Sequence, residues 1–94
     1  MIKEVTEETF KSAIAEGTVL AEFYAPWCTS CKMLAKILEA IDAENPGVNI
    51  IKINVAQERV MAIETLPTIV VYKNGEIAAK LTGVQSKAKL KELL

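Results

Sequence analysis

The sequence has no histidine and only two cysteines, Cys28 and Cys31. A mononuclear zinc site needs four ligands, typically cysteine and histidine. One copy of this chain offers two thiols and no imidazole, so zinc would require a second copy or carboxylate ligands. Charge of one sign is also missing. Eleven Lys and Arg face 12 Asp and Glu, for a net charge of −1, and no run of like charges stands out. Nucleic acid and anionic membrane surfaces therefore have little electrostatic support as partners. Nowhere do the ~18 consecutive apolar residues of a membrane span run together. The opening Met1-Ile2-Lys3-Glu4-Val5 carries two charges and lacks the apolar stretch of a secretory signal. These absences lead us to expect a cytoplasmic monomer in a reducing compartment, where a lone cysteine pair is more often catalytic or metal-binding than structural.

Ninety-four residues, 51% of them apolar, suffice for one core and one domain, residues 1–94, without staples. No repeat, low-complexity stretch or linker interrupts them. Met1 to Val5 reads as a short edge strand. Thr6 is placed to cap a helix, with Glu7 and Glu8 in its first turn, Phe10, Ala13 and Ile14 on one face, and Gly17 past its end. Val19 to Tyr24 is a short, mostly apolar run, the pattern of a strand covered on both faces. Pro26 breaks it, and a helix starting near Cys28 follows, striped by Leu34, Ile37, Leu38 and Ile41 and stopped by Asn45-Pro46-Gly47. Val48 to Val55 is rich in β-branched residues, which completes a βαβ unit and predicts parallel strands with a right-handed crossover. Ala56 to Ile63 is read as a short helix. Thr68 to Tyr72 forms the next strand, and Lys73-Asn74-Gly75-Glu76 is a strong type I′ hairpin signal. Ile77 to Thr82 returns antiparallel, Gly83 breaks it, and Ser86 caps a last helix. That helix should turn Leu90, Leu93 and Leu94 inward and Lys87, Lys89 and Lys91 to solvent. The fold class is α/β, a mixed sheet flanked by helices.

The chemistry gathers in Trp27-Cys28-Thr29-Ser30-Cys31-Lys32, where strand turns into helix. Two intervening residues, wound as a first helical turn, bring the sulfurs close enough to bridge. The earlier cysteine lies at the helix N-terminus, where unpaired N–H groups and the dipole favour a thiolate, the species that attacks disulfides. The later cysteine points back into the protein. A purely structural disulfide here would close a very short loop and remove little chain entropy. A zinc site or an iron–sulfur cluster would need a partner copy.

Beyond the cysteine spacing, three stretches resemble the thioredoxin family, in its order and spacing over essentially the whole chain. Val19 to Cys28 is similar to its approach to the active site, Thr65-Leu66-Pro67-Thr68 to its cis-proline loop, and Lys73 to Glu76 to its hairpin. The resemblance implies the thioredoxin fold, a central mixed β-sheet flanked by helices in three layers. It also implies a cis bond before Pro67, which residue preference alone leaves open between cis and trans. Leu66 would pair through its backbone with an extended substrate segment, and Trp27, Gly83 and Val84 would wall the groove.

Glu22 interrupts an apolar strand, where a buried carboxylate is costly unless paired or protonated. The family generally has aspartate at this position, exchanging protons with the resolving cysteine through water, and Lys52 matches the lysine that pairs with it. Burial would raise the Glu22 pKa and a lysine partner would lower it. The alternative is a strand-edge glutamate reaching solvent. Departures from the family pattern are also plain. Thr29-Ser30 replaces the usual Gly-Pro between the cysteines, which restores an N–H and adds two hydroxyls able to donate to a Cys28 thiolate. Lys36 stands where many members have a helix-kinking proline, Val55 replaces a common aspartate, and the segment from Val55 to Thr65 is short.

The resemblance thus implies a protein dithiol–disulfide oxidoreductase with Cys28 attacking, Cys31 resolving, Glu22 and Lys52 handling the proton, and Thr29 and Ser30 tuning the couple. Its partners would be proteins with disulfides and a thioredoxin reductase-type electron donor, with no bound cofactor and no metal. The rivals are an oxidase or isomerase role for the same site, a non-catalytic binding module, and a metal- or cluster-binding dimer.

Overall fold

Alternation along the inner strands sends side chains to opposite faces of one sheet, and each face gathers its own core. The computed structural model describes residues 1–94. In chain order the elements are β1 (Ile2–Glu4), α1 (Glu7–Ala13), β2 (Thr18–Tyr24), α2 (Thr29–Glu44), β3 (Asn49–Asn54), β4 (Thr68–Lys73), β5 (Glu76–Thr82) and α3 (Lys87–Glu92). The strands lie in the order β1-β3-β2-β4-β5. β3 runs parallel to both β1 and β2, and β4 is antiparallel to β2 and β5. Val19, Ala21 and Phe23 of β2 face α1 and join Phe10, Ile14, Ile51, Ile53, Val70 and Tyr72 in one core. Leu20, on the other face, packs with Leu34, Leu38 and Ile41 of α2 and Leu90 of α3. Each such leucine or phenylalanine withdrawn from water contributes on the order of 1.5–3 kcal/mol before entropy is counted. The three-layer α/β architecture of the thioredoxin fold is therefore the arrangement this patterning produces.

β2 is central because both its faces are apolar. That position removes the alternative for Glu22: it is an interior residue, 1% exposed, and not a strand-edge glutamate. α2 runs unbroken for 16 residues, with Lys36 inside it. The N-cap at Thr6 forms as expected, its amide donating to Thr9 Oγ1 at 3.1 Å. At the hairpin, Asn74 and Gly75 take φ of 52° and 86°, the left-handed values that a type I′ turn demands. Asn74 also reaches back to the turn after α1: its N donates to Gly17 O, and its Oδ1 accepts from Gly17 N, each at 2.9 Å.

Two expectations fail. Ala56 to Ile63 forms no helix; turns follow Asn54, whose carbonyl accepts from Gln57 N and Glu58 N and whose Oδ1 accepts from Ala56 N. The segment's other contacts explain why helix does not propagate. Val55, Val60, Met61 and Ile63 pack onto the α1 core, and the Glu58 carboxylate accepts from Glu7 N at the start of α1. Leu94 is exposed and Leu93 half-buried, because α3 ends at Glu92 and only Leu90 reaches the interior. The three lysines on α3 face solvent as expected, and two of them also form ion pairs. Lys87 and Lys91 both pair with Glu44 at the end of α2, and those hydrogen bonds hold its carboxyl down at about 2.

Candidate active site

The turn from β2 into α2 is made by Ala25, Pro26 and Trp27, with Cys28 N donating to Ala25 O at 3.1 Å. Pro26 ends the strand because it has no N–H for a ladder. Cys28 then becomes the N-cap of α2: its sulfur accepts from Cys31 N at 3.1 Å, a role usually filled by a serine or aspartate oxygen. A 16-residue helix thus presents its positive end to one sulfur. Cys28 and Cys31 are joined as a disulfide, with Cα atoms 5.2 Å apart. The sulfurs are not equivalent. Cys28 is half-buried at the surface, while Cys31 is 3% exposed and faces the protein.

Contacts lead from this pair to the loop before β4. Ser30 Oγ lies 3.3 Å from Cys28 Sγ and donates to Leu66 O at 3.4 Å. The Leu66–Pro67 bond is cis, and Pro67 O accepts from Gly83 N at 2.8 Å. One chain of contacts therefore brings together Cys28, Ser30, Leu66, Pro67 and Gly83, beside exposed Val84. Trp27 is 70% exposed, an apolar surface next to Cys28 in the chain and not a half-buried packing residue. Thr29 departs from expectation. Its side chain is exposed and makes no hydrogen bond to Cys28, so Ser30 alone supplies a hydroxyl to that sulfur.

Beneath the disulfide, Glu22 and Cys31 line one cleft of about 180 Å³ together with Tyr24, Lys32 and Lys52. At ~30 Å³ per molecule, such a space has room for water between carboxyl and thiol. Burial pushes the Glu22 carboxyl up to about 7, although the charge of Lys52 opposes the rise; Glu4 adds to it. Desolvation therefore wins the contest that the sequence left open. Glu22 and Lys52 are register partners on β2 and β3, but they form no contact ion pair. The Lys52 ammonium instead sits 4.6 Å from the centre of the Tyr24 ring. Tyr24 OH donates to Glu4 Oε1 at 2.8 Å. Burial first, and then Glu4, hold the Tyr24 phenol well above its ordinary range. Sequence reasoning missed Tyr24 and Glu4. A signal existed for Tyr24: two positions after Glu22 on one strand, it must share that residue's face. No three histidine, cysteine, aspartate or glutamate side chains converge as a metal site would need.

The thioredoxin family profile matches residues 1–94. A thioredoxin of Chlamydia pneumoniae is 39% identical, over 100% of this chain and 96% of its own length. One from Bacillus subtilis strain 168 is 38% identical, over 99% of this chain and 94% of its own. Similarity of this extent takes in every layer of the fold along with the cysteine pair, and the chain belongs to the thioredoxin family of dithiol–disulfide oxidoreductases.

Proposed function

We propose that Cys28 attacks substrate protein disulfides and that Cys31 resolves the product, with Glu22 as the proton acceptor. The Cys28 thiolate forms a mixed disulfide with one substrate sulfur and expels the other as a thiolate. Cys31 passes its proton to Glu22 through water in the cleft between them. Its thiolate then attacks Cys28 Sγ, closing the Cys28–Cys31 disulfide and releasing the second substrate sulfur. Two electrons leave the dithiol and two reach the substrate. The observation that carries this assignment is the inequality of the sulfurs: one half-buried at a helix N-terminus, the other 3% exposed beneath it.

Leu66 pairs through its backbone with an extended substrate segment, and Trp27, Gly83 and Val84 flank that segment. Its amide has no partner within the chain, which supports the reading. The Ser30 hydroxyl stabilises the Cys28 thiolate and makes the disulfide more oxidising than a Gly-Pro version. Lys52 acts on Glu22 through its charge. A flavin- or ferredoxin-dependent reductase of the thioredoxin type regenerates the dithiol. The 94 residues act as one monomeric domain in the cytoplasm. Reduced beforehand and mixed with insulin after dithiothreitol is removed, Cys31→Ser should accumulate a mixed disulfide through Cys28, and Cys28→Ser should accumulate none. Equal trapping by both variants would reverse or abolish the assignment.

A further inference from the structure

Three strands place Glu4, Lys52 and Glu22 in one row. Lys52 is the register partner of Glu4 on β1 and of Glu22 on β2, so the lysine stands between two carboxylates on the same face of the sheet. Adjacent strands lie about 4.8 Å apart, so neighbours in such a row are within easy reach of an ion pair. Lys52 nevertheless pairs with neither. Its ammonium lies over the ring of Tyr24, the next residue on the Glu22 face of β2, and the Tyr24 hydroxyl occupies Glu4. Glu22 Oε1 is left buried with no hydrogen-bond partner.

We infer that Tyr24, anchored by Glu4, is a positioning residue that holds the Lys52 ammonium over its ring and out of contact with Glu22. The consequence for catalysis rests on the reading of Glu22 as the proton acceptor. A carboxylate in a contact ion pair binds a proton weakly, whereas one felt only at a distance keeps an affinity suited to exchange near neutral pH. Burial, which holds Glu22 at about 7, is left to dominate because the lysine is kept off. Glu4 comes from β1, Lys52 from β3 and Tyr24 from β2, while α2 contributes Cys31, Lys32 and Glu39 around the two clefts that Glu22 lines. From β4 the partner is apolar Ile69. Lys52 is the one cation in the row, and the Tyr24 ring is the feature that decides where it rests. Glu4 offers a freed lysine little, since exposed ion pairs are worth ~0–1 kcal/mol, while the buried and unpartnered Glu22 offers more.

The test is a titration of the Glu22 carboxyl by carbon NMR in the oxidised protein. Tyr24→Leu and Tyr24→Met remove the ring and should lower the Glu22 pKa by about one to two units as Lys52 moves onto it. Tyr24→Phe and Tyr24→Trp keep a ring and should leave Glu22 near its starting value, so that ring character and not volume sorts the variants. In a Lys52→Met background the same Tyr24 changes should move Glu22 little. An unmoved Glu22 in the aliphatic variants, or an equal shift without Lys52, overturns the inference. Comparing four variants keeps the test valid if one of them fails to fold. The pH dependence of insulin reduction separates the two readings. If Glu22 moves and the rate profile does not follow, Tyr24 positions Lys52 as inferred, but Glu22 is not the proton acceptor.

Discussion

The hydroxyl of Ser30 donates to the carbonyl of Leu66, 36 positions further along the chain, while lying 3.3 Å from the sulfur of Cys28. One hydroxyl proton thus has two acceptors, a backbone oxygen and a redox sulfur. When Cys28 is a thiolate its negative charge is the stronger acceptor, because hydrogen bonds to ionised groups are about twice as strong as neutral ones.

Ser30→Ala should therefore raise the Cys28 thiol pKa. A hydrogen bond to a charged group is worth ~1.5–3 kcal/mol, and one pKa unit is ~1.4 kcal/mol, so a rise of about one to two units is expected. The rate of iodoacetamide alkylation against pH measures it directly. An unchanged profile would remove Ser30 from the redox couple.

Thr29→Gly with Ser30→Pro should make the protein more reducing. Losing one thiolate hydrogen bond destabilises the dithiol by an amount equivalent to ~30–60 mV in a two-electron couple. Equilibration with glutathione gives the potential. Thr29→Gly alone should have little effect, because the Thr29 side chain is exposed and makes no hydrogen bond to Cys28.

Glu22 should make stability depend on pH. Its carboxyl is raised from 4.5 to about 7 on folding, so between those values the native state binds more protons than the unfolded chain. Its contribution is fully present below pH 4.5 and is lost as pH rises through about 7. The loss is on the order of 3 kcal/mol at ~1.4 kcal/mol per unit. Glu22→Gln should flatten this part of the profile in urea titrations of the oxidised protein. A wild-type curve that does not fall between pH 5 and 8 would contradict the burial argument.

The same substitution should slow turnover. Positioned acid–base groups contribute roughly 100- to 10,000-fold. Because water in the open cleft substitutes in part, Glu22→Gln should cost about tenfold near neutral pH and lose the inflection near 7. Insulin reduction across pH measures both. An unchanged rate profile would free Glu22 of any role in proton transfer.

Leu90 tests how α3 is held. It is fully buried against Leu34 and Leu38, whereas the Glu44 pairs with Lys87 and Lys91 lie at the surface. Leu90→Ala should destabilise by ~2–5 kcal/mol. Glu44→Gln should change stability by less than ~1 kcal/mol, because exposed ion pairs contribute little. Denaturant midpoints for the two variants check the order.

Much of this protein follows from local chemistry alone. Strand alternation, the Asn74-Gly75 turn, the caps at Thr6 and Ser86, and the Cys28–Cys31 spacing each act within a few residues, so the linear sequence suffices to read them. Ala56 to Ile63 does not form the helix its local sequence suggests because its side chains are committed elsewhere: Val60 and Met61 to the α1 core, Glu58 to the amide of Glu7. Contacts between distant residues decided the rest. The register of β1, β3 and β2 set Lys52 between two glutamates, and the central position of β2 buried Glu22. Packing then laid the lysine over Tyr24 and brought Leu66 to Ser30. Such interactions depend on which strands are neighbours and how deeply water is excluded, quantities that belong to the assembled sheet and to no single segment of the chain.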